Sequence, residues 1–138
     1  GPDFKMRAAL VDGEIVGFAG SGPARDRDAP RNRELYFLYM LSRYHGPLTL
    51  DGIDQLWVTG DDEMGAFGLS SGMIQRRFPI GGILTLVANA THVFAVQTGG
   101  TEVLAWPVTA PTNAEPTRIS TGGSPRALAL DGSALFVA

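Results

Sequence analysis

The stretch LTLVANATHVFAV, residues 84–96, consists of two apolar runs separated by a turn of small and polar residues. Two further stretches repeat this order, LTLDGIDQLWVT at residues 48–59 and RALALDGSALFVA at residues 126–138. Short runs that are rich in β-branched and aromatic residues and bounded by Gly, Asp or Asn are typical of β-strands. Each stretch therefore predicts a hairpin, and the chain carries at least three copies of it.

Each second run has an aromatic residue at the same place, namely Trp57, Phe94 and Phe136, spaced about 40 residues apart. Four short antiparallel strands in each interval of that length are typical of a β-propeller blade. We therefore expect an all-β fold of antiparallel four-stranded meanders, with about two and a half propeller-like blades in residues 47–138. We expect Trp57, Phe94, Phe136 and Trp106 to pack between these sheets.

The intervals between the three stretches hold further predicted strands and end in glycine pairs, Gly81-Gly82 and Gly122-Gly123. The phrases FPIGGILTLVANATHVFAV and ISTGGSPRALALDGSALFVA resemble the YVTN/NHL-like class of propeller repeats, in which a Gly-Gly pair leads into a strand, a turn and a second strand. The strands predicted in these intervals are Gly65–Leu69, Met73–Pro79, Glu102–Pro107 and Thr117–Ser120.

The composition limits the function classes open to the chain. Its 138 residues are 44% hydrophobic and 18% charged, which is a globular composition. The formal net charge of −3 offers no electrostatic attraction for nucleic acid. The absence of cysteine excludes disulfides and thiolate chemistry. No apolar run approaches the roughly 20 residues of a membrane helix, so we expect neither nucleic acid nor a membrane as a partner, and the compartment stays open.

The N-terminal third of the chain predicts another meander. The runs Arg7–Val11 and Glu14–Ala19 flank Asp12-Gly13, a strong hairpin signal. Residues 20–33 predict an exposed loop because they are rich in Gly, Pro and alternating charge, and Glu34–Leu41 is a third run. Gly1-Pro2 is typical of the pair left after removal of a purification tag, so natural sequence upstream is expected to be missing.

RAALVDGEIVGFAGSGP and RELYFLYMLSRYHG, within residues 7–46, resemble the central strands of GNAT-type N-acetyltransferases. In that family the second strand pairs with the pantetheine arm of acetyl-CoA, and a glycine-rich loop then wraps the pyrophosphate. The resemblance implies cofactor-binding positions at Tyr39, Met40, Leu41, His45 and Gly46.

The chain departs from the family pattern directly after Gly46. Leu48 and Leu50 stand where the family has glycines, and Pro47 removes a backbone donor. No amphipathic helix follows to direct its N-terminus at a phosphate. The change at Gly46/Pro47 suggests a chimera of two fragments, residues 1–46 and residues 47–138. The alternative is that the first segment is another meander that takes the place of a blade.

Other motifs predict structure rather than chemistry. Gly68-Leu69-Ser70-Ser71-Gly72 matches G-x-S-x-G, but a strand follows it instead of the helix that a nucleophile elbow needs. With only His45 and His92 in the chain, we expect no metal site built on histidines. The run Asp61-Asp62-Glu63 lacks the alternating spacing of a calcium loop. Asp51, Asp54 and Asp131 are expected to cap turns.

The sequence thus favours a protein without catalytic function, a chimeric or fragmentary β scaffold that folds and self-associates. The last predicted blade has only two strands, and its exposed faces and edges must be covered by the N-terminal strands or by other copies. We therefore expect a homo-oligomer and no cofactor. Two alternatives remain, a propeller-type module that binds a ligand or protein, and a residual acetyltransferase that uses acetyl-CoA.

Overall fold

The computed structural model describes residues 5–11, 14–23, 33–40 and 44–138. Within these parts the chain forms thirteen β-strands and no α-helix, and every strand pairing is antiparallel. The predicted all-β fold of antiparallel meanders is confirmed. In the described part of the chain no helix is long and apolar enough to cross a bilayer.

The N-terminal sheet has three strands in sequence order, β1 (Lys5–Val11), β2 (Glu14–Pro23) and β3 (Arg33–Met40). Val11 pairs with Glu14, which confirms the predicted hairpin, although Asp12 and Gly13 themselves lie outside the described residues. The exposed loop predicted at residues 20–33 begins later than expected, because β2 continues to Pro23 and pairs with β3. Pairing on both sides of β2 satisfies its backbone and overrides the weak strand propensity of glycine and serine. Residues 24–32 and Gly1-Pro2 lie outside the described part.

Two four-stranded meanders follow. The first sheet contains β4 (Leu48–Leu50), β5 (Gln55–Thr59), β6 (Met64–Gly68) and β7 (Met73–Phe78). The second sheet contains β8 (Ile83–Ala88), β9 (His92–Gln97), β10 (Glu102–Pro107) and β11 (Thr117–Ser120). A third sheet has two strands, β12 (Leu128–Asp131) and β13 (Ala134–Val137). The three repeated stretches thus form the first hairpin of each sheet.

The Asp-Gly pairs of the first and third stretches fix the turns of their hairpins. Gly52 has φ +80° and Gly132 has φ +59°, a region that residues with a Cβ rarely adopt. The second stretch lacks this glycine. There the Asn89 side chain accepts hydrogen bonds from the backbone of Thr91 (2.9 Å) and His92 (2.8 Å) and closes the turn instead.

The main core lies between the first and second sheets. Trp57 packs on Phe78 with ring centroids 5.7 Å apart, and Phe78 contacts Trp106 at 6.0 Å. The cluster is completed by smaller buried side chains from both sheets: Met64, Ala66, Ile83, Leu86, Val93, Ala95, Leu104, Val108 and Ala110. Burial of this apolar surface holds the two sheets face to face.

The opposite face of the first sheet is also buried. Leu56, Val58 and Phe67 form a second cluster there, and Tyr44 packs into it from the segment before β4. The backbone of β1 runs beside β7 at the outer edge of the same sheet. The first sheet therefore buries side chains on both faces, although Leu48 and Leu50, which pair with Val58 and Leu56 on this second face, stay 46% exposed.

The first strands of the successive sheets lie next to one another, since β4 lies beside β8 and β8 lies beside β12. The sheets therefore stack in chain order. Trp57 and Trp106 pack in the core as predicted, and Phe94 is half-buried. The same prediction is wrong for Phe136, which is 59% exposed because no sheet of the described chain lies on its face.

Candidate functional site

The positions that the GNAT resemblance assigns to a cofactor lie on two separate elements. Tyr39 and Met40 belong to β3, at the edge of the N-terminal sheet, and Leu41 lies outside the described residues. Gly46 lies against the end of β5, and its N–H donates to the carbonyl of Thr59 at 2.8 Å. This backbone donor is therefore already used within the chain.

The contact between Gly46 and Thr59 also explains why position 46 is glycine. A Cβ there would lie 2.6 Å from the Thr59 hydroxyl oxygen, and that hydroxyl donates to the carbonyl of Pro47 at 2.6 Å. The close backbone approach at Gly46 is thus to β5 of the first sheet. His45 lies at the surface, with Nε2 3.4 Å from an oxygen of Asp61.

In the acidic run at residues 61–63, Asp61 and Glu63 contact different side chains. Glu63 lies 4.0 Å from the Arg77 guanidinium, whereas Asp61 faces His45. Across the residues that the structure describes, no three His, Cys, Asp or Glu side chains converge to hold a metal ion. The run is part of a solvated turn between β5 and β6.

The G-x-S-x-G stretch forms the turn between β6 and β7, as predicted. The Gly72 N–H donates to the Gly68 carbonyl at 2.9 Å and closes the turn. The Ser70 hydroxyl donates to Asp54 at 2.5 Å, and its N–H donates to the same carboxylate at 3.0 Å. Ser70 therefore joins two turns and has no histidine partner.

A polar network that the sequence did not reveal joins the first sheet to the segment after β10. The Arg76 guanidinium donates to the Gln55 side chain and to the Ala110 carbonyl, the latter at 2.6 Å. Gln55 in turn donates to Asp51 at 2.8 Å and to the Val108 carbonyl at 3.2 Å. Beside them, the Asn113 N–H donates to the Arg77 carbonyl at 2.9 Å, so polar bonds as well as apolar side chains join the first sheet to the segment after β10.

Burial lowers the pKa of Arg76, while the nearby Asp51 carboxylate raises it. The guanidinium also lies 5.4 Å from the Trp57 ring centroid, within the range of a cation–π contact. One signal in the sequence could have identified this residue: Arg76 alternates with Phe78 along β7 and so shares its core-facing side.

The strongest functional feature is that the aromatic residue at the repeated position becomes more exposed from the first sheet to the third. Trp57 faces the second sheet and is fully buried. Phe94 alternates with the core residues Val93 and Ala95, so it faces the third sheet, and it is half-buried. Phe136 faces away from the second sheet and is 59% exposed. Each sheet thus covers the aromatic residue of the sheet before it, and within the described part of the chain no sheet covers Phe136.

The residue directly after the repeated aromatic position shows the same rise in exposure at the edge of the third sheet. Val58 is 1% exposed and Ala95 is fully buried, whereas Val137 is 42% exposed. The first two residues lie on strands that are paired on both sides, but β13 pairs only with β12. The third sheet therefore presents an uncovered face and an unpaired edge together.

Comparison with known proteins adds no relative: no family model matches the chain, and no curated protein matches it significantly.

Proposed function

We propose that this protein is a non-catalytic β scaffold that self-associates through the uncovered face of its third sheet. The observation that carries the proposal is Phe136, a large aromatic side chain exposed at a repeat position that is buried in the first sheet. Exposed apolar surface of this kind on an edge sheet favours association, at roughly 25 cal/mol per Å² buried.

The proposal includes the view that the three sheets are propeller-like blades. Its support is the meander order of the four-stranded sheets and the row formed by their first strands, β4, β8 and β12. A propeller places the first strand of each blade around its axis and stacks the blades face to face. A stack of blades whose outermost sheet lacks a neighbour leaves an apolar face open, which gives self-association a physical cause.

The absence of catalysis is proposed because the candidate groups already have structural roles. Ser70 is bound to Asp54, the Gly46 N–H is bound to Thr59, and the buried Asp51 carboxylate is bound to the Gln55 N–H. These groups do not form the chain of hydrogen bonds from nucleophile to base to orienting acid that covalent catalysis uses.

The test is the molar mass in solution as a function of protein concentration, measured by sedimentation velocity and light scattering. We expect the weight-average mass to rise above 14.6 kDa as the concentration increases. The variant Phe136→Asp should keep the monomer mass at every concentration, because it places a charge on the uncovered face.

The matched control is Ile53→Asp. Ile53 is even more exposed, at 66%, but it lies in the turn between β4 and β5, away from the third sheet. This variant should associate like the unmodified chain. A mass of 14.6 kDa at all concentrations, or equal loss of association in both variants, would contradict the proposed function.

A further inference from the structure

The outer edge of β13 presents free backbone groups. Among the described strands, β13 pairs with β12 alone. The Ala127 and Ala138 backbones exchange two hydrogen bonds, both of 3.0 Å, and bonded pairs alternate along an antiparallel ladder. Leu135 and Val137 therefore direct their N–H and C=O groups away from β12. An edge of this kind can pair with a further strand.

The same edge is occupied in the first two sheets, by β6 beside β5 and by β10 beside β9. Ala66 of β6 lies opposite Trp57 in the ladder. In the same way, Ala105 of β10 lies opposite Phe94. An aromatic residue directly follows each alanine. The strands that fit this edge thus share an alanine followed by an aromatic residue.

The second of these aromatic residues packs on the outer strand of the preceding sheet. Trp106 of β10 contacts Phe78 of β7, with ring centroids 6.0 Å apart. Phe78 pairs with the residue two before the β6 alanine, and Ile119 of β11 pairs with the residue two before the β10 alanine. Ile119 therefore takes in the second sheet the place of Phe78 in the first. Phe78 is 1% exposed, whereas Ile119 is 44% exposed.

We infer that the β13 edge and Ile119 form a docking site for an extended segment of a partner protein that contains an alanine followed by an aromatic residue. The segment adds to the third sheet as an antiparallel strand. Its backbone bonds to Leu135 and Val137, which supplies affinity, and its aromatic side chain packs on Ile119, which supplies specificity. The site lies at the edge and inner side of the third sheet, so it does not depend on the self-association proposed for the outer face.

The register of the segment follows from the strands already in place. With its alanine opposite Phe136, the segment sets its aromatic residue beside Leu135. Trp106 lies in the same way beside Val93, and both of these side chains point to the preceding sheet. The aromatic residue of the segment therefore points to the second sheet, where it covers Ile119.

A second copy of this chain does not supply such a segment. An alanine followed by an aromatic residue occurs twice in the sequence, at Ala66-Phe67 and at Ala105-Trp106. Both pairs lie in the inner strands β6 and β10, which are paired on both sides within their own sheets. Neither strand can add to another molecule without opening its own sheet, so the segment belongs to a different protein.

A labelled peptide tests the site. The peptide TEVLAWPV copies residues 101–108, and fluorescein at its N-terminus reports binding by fluorescence anisotropy. We expect saturable binding with a dissociation constant on the order of 100 μM, because the contact is much smaller than a standard protein interface.

Two backbone-methylated peptides test the strand pairing. N-methylation at the copy of Leu104 removes the N–H that faces Val137, and the loss of this hydrogen bond should weaken binding at least about fivefold. N-methylation at the copy of Ala105 blocks an N–H that points away from β13. This matched control should bind like the parent peptide.

Two variants of the protein test the aromatic contact. Ile119→Asp should weaken binding at least about tenfold, because it replaces the apolar contact with a charge. The matched control is Ser120→Asp, whose exposed side chain points to the other side of β11 and should leave binding unchanged. Tryptophan fluorescence should show that both variants keep the native core. The absence of saturable binding, or equal effects within either matched pair, would overturn the inference.

Discussion

Replacement of Asp51 by alanine removes the acceptor at the centre of the turn between β4 and β5. Asp51 is only 2% exposed, and its carboxylate accepts three hydrogen bonds. They come from the Ile53 N–H at 2.9 Å, the Gln55 N–H at 3.2 Å and the Gln55 side chain at 2.8 Å. The same change takes away the negative charge nearest to the half-buried Arg76.

The hydrogen bonds set the size of the effect. Each one contributes about 1 kcal/mol, so the loss of three lowers the free energy of unfolding by about 3 kcal/mol. The loss of charge compensation at Arg76 acts in the same direction. With a urea dependence of roughly 2 kcal/mol per molar, the unfolding midpoint should fall by about 1.5 M.

The assay is equilibrium unfolding in urea, followed by the fluorescence of the buried Trp57 and Trp106. Asp54→Ala is the matched control, because Asp54 lies in the same turn but accepts only two exposed bonds, both from Ser70. That control should lose about 1 kcal/mol or less. If Asp51→Ala and Asp54→Ala shift the midpoint equally, the polar network does not stabilise the stack of sheets.

Three further predictions test the core, a turn and the cofactor. Trp57 Nε1 has no acceptor among the described residues, whereas Trp106 Nε1 donates to the Ala114 carbonyl at 3.0 Å. Trp57→Phe should therefore lower the free energy of unfolding in urea by about 1 kcal/mol less than Trp106→Phe does. A Cβ on Gly81 would overlap the Asp61 carbonyl, but one on Gly82 meets nothing. Gly81→Ala should therefore lower the thermal midpoint more than Gly82→Ala, which costs about 1 kcal/mol through its positive φ; equal shifts would count against this close approach. Calorimetric titration with acetyl-CoA should give no saturable heat, and micromolar binding would restore the acetyltransferase alternative.

The strands could be predicted from the sequence because their signals are local. Alternating apolar residues and the Asp-Gly turns placed the hairpins of the first and third sheets, and Glu102–Pro107 and Thr117–Ser120 match β10 and β11 without change. The errors lie at strand ends. The strand predicted at Gly65–Leu69 is shifted by one residue from β6, which spans Met64–Gly68. The Leu69 N–H donates to the Asp54 carbonyl in the adjoining turn.

The polar network and the role of Gly46 could not be predicted, because both depend on contacts between distant parts of the chain. Arg76 reaches Ala110, which is 34 residues away, and Gly46 meets Thr59 across the start of the first sheet. The same limit applies to Phe136. The repeat predicted that Phe136 packs between sheets, and this is wrong because no further sheet of the described chain lies on its face.

The packing around Tyr44 explains how a segment unlike the three repeated stretches can still pack against the first sheet. Each sheet of a stacked array needs only an apolar face and a neighbour, so its energetics depend on the adjacent layer and not on the identity of the whole chain. Tyr44 and Gly46 come from the segment before the proposed boundary, yet they lie against Phe67 and Thr59 of the first sheet. Local contacts thus bury the centre of the first face of the stack, at Leu56, Val58 and Phe67. The stack stays open at Phe136, where the same physical requirement can be met by a second copy.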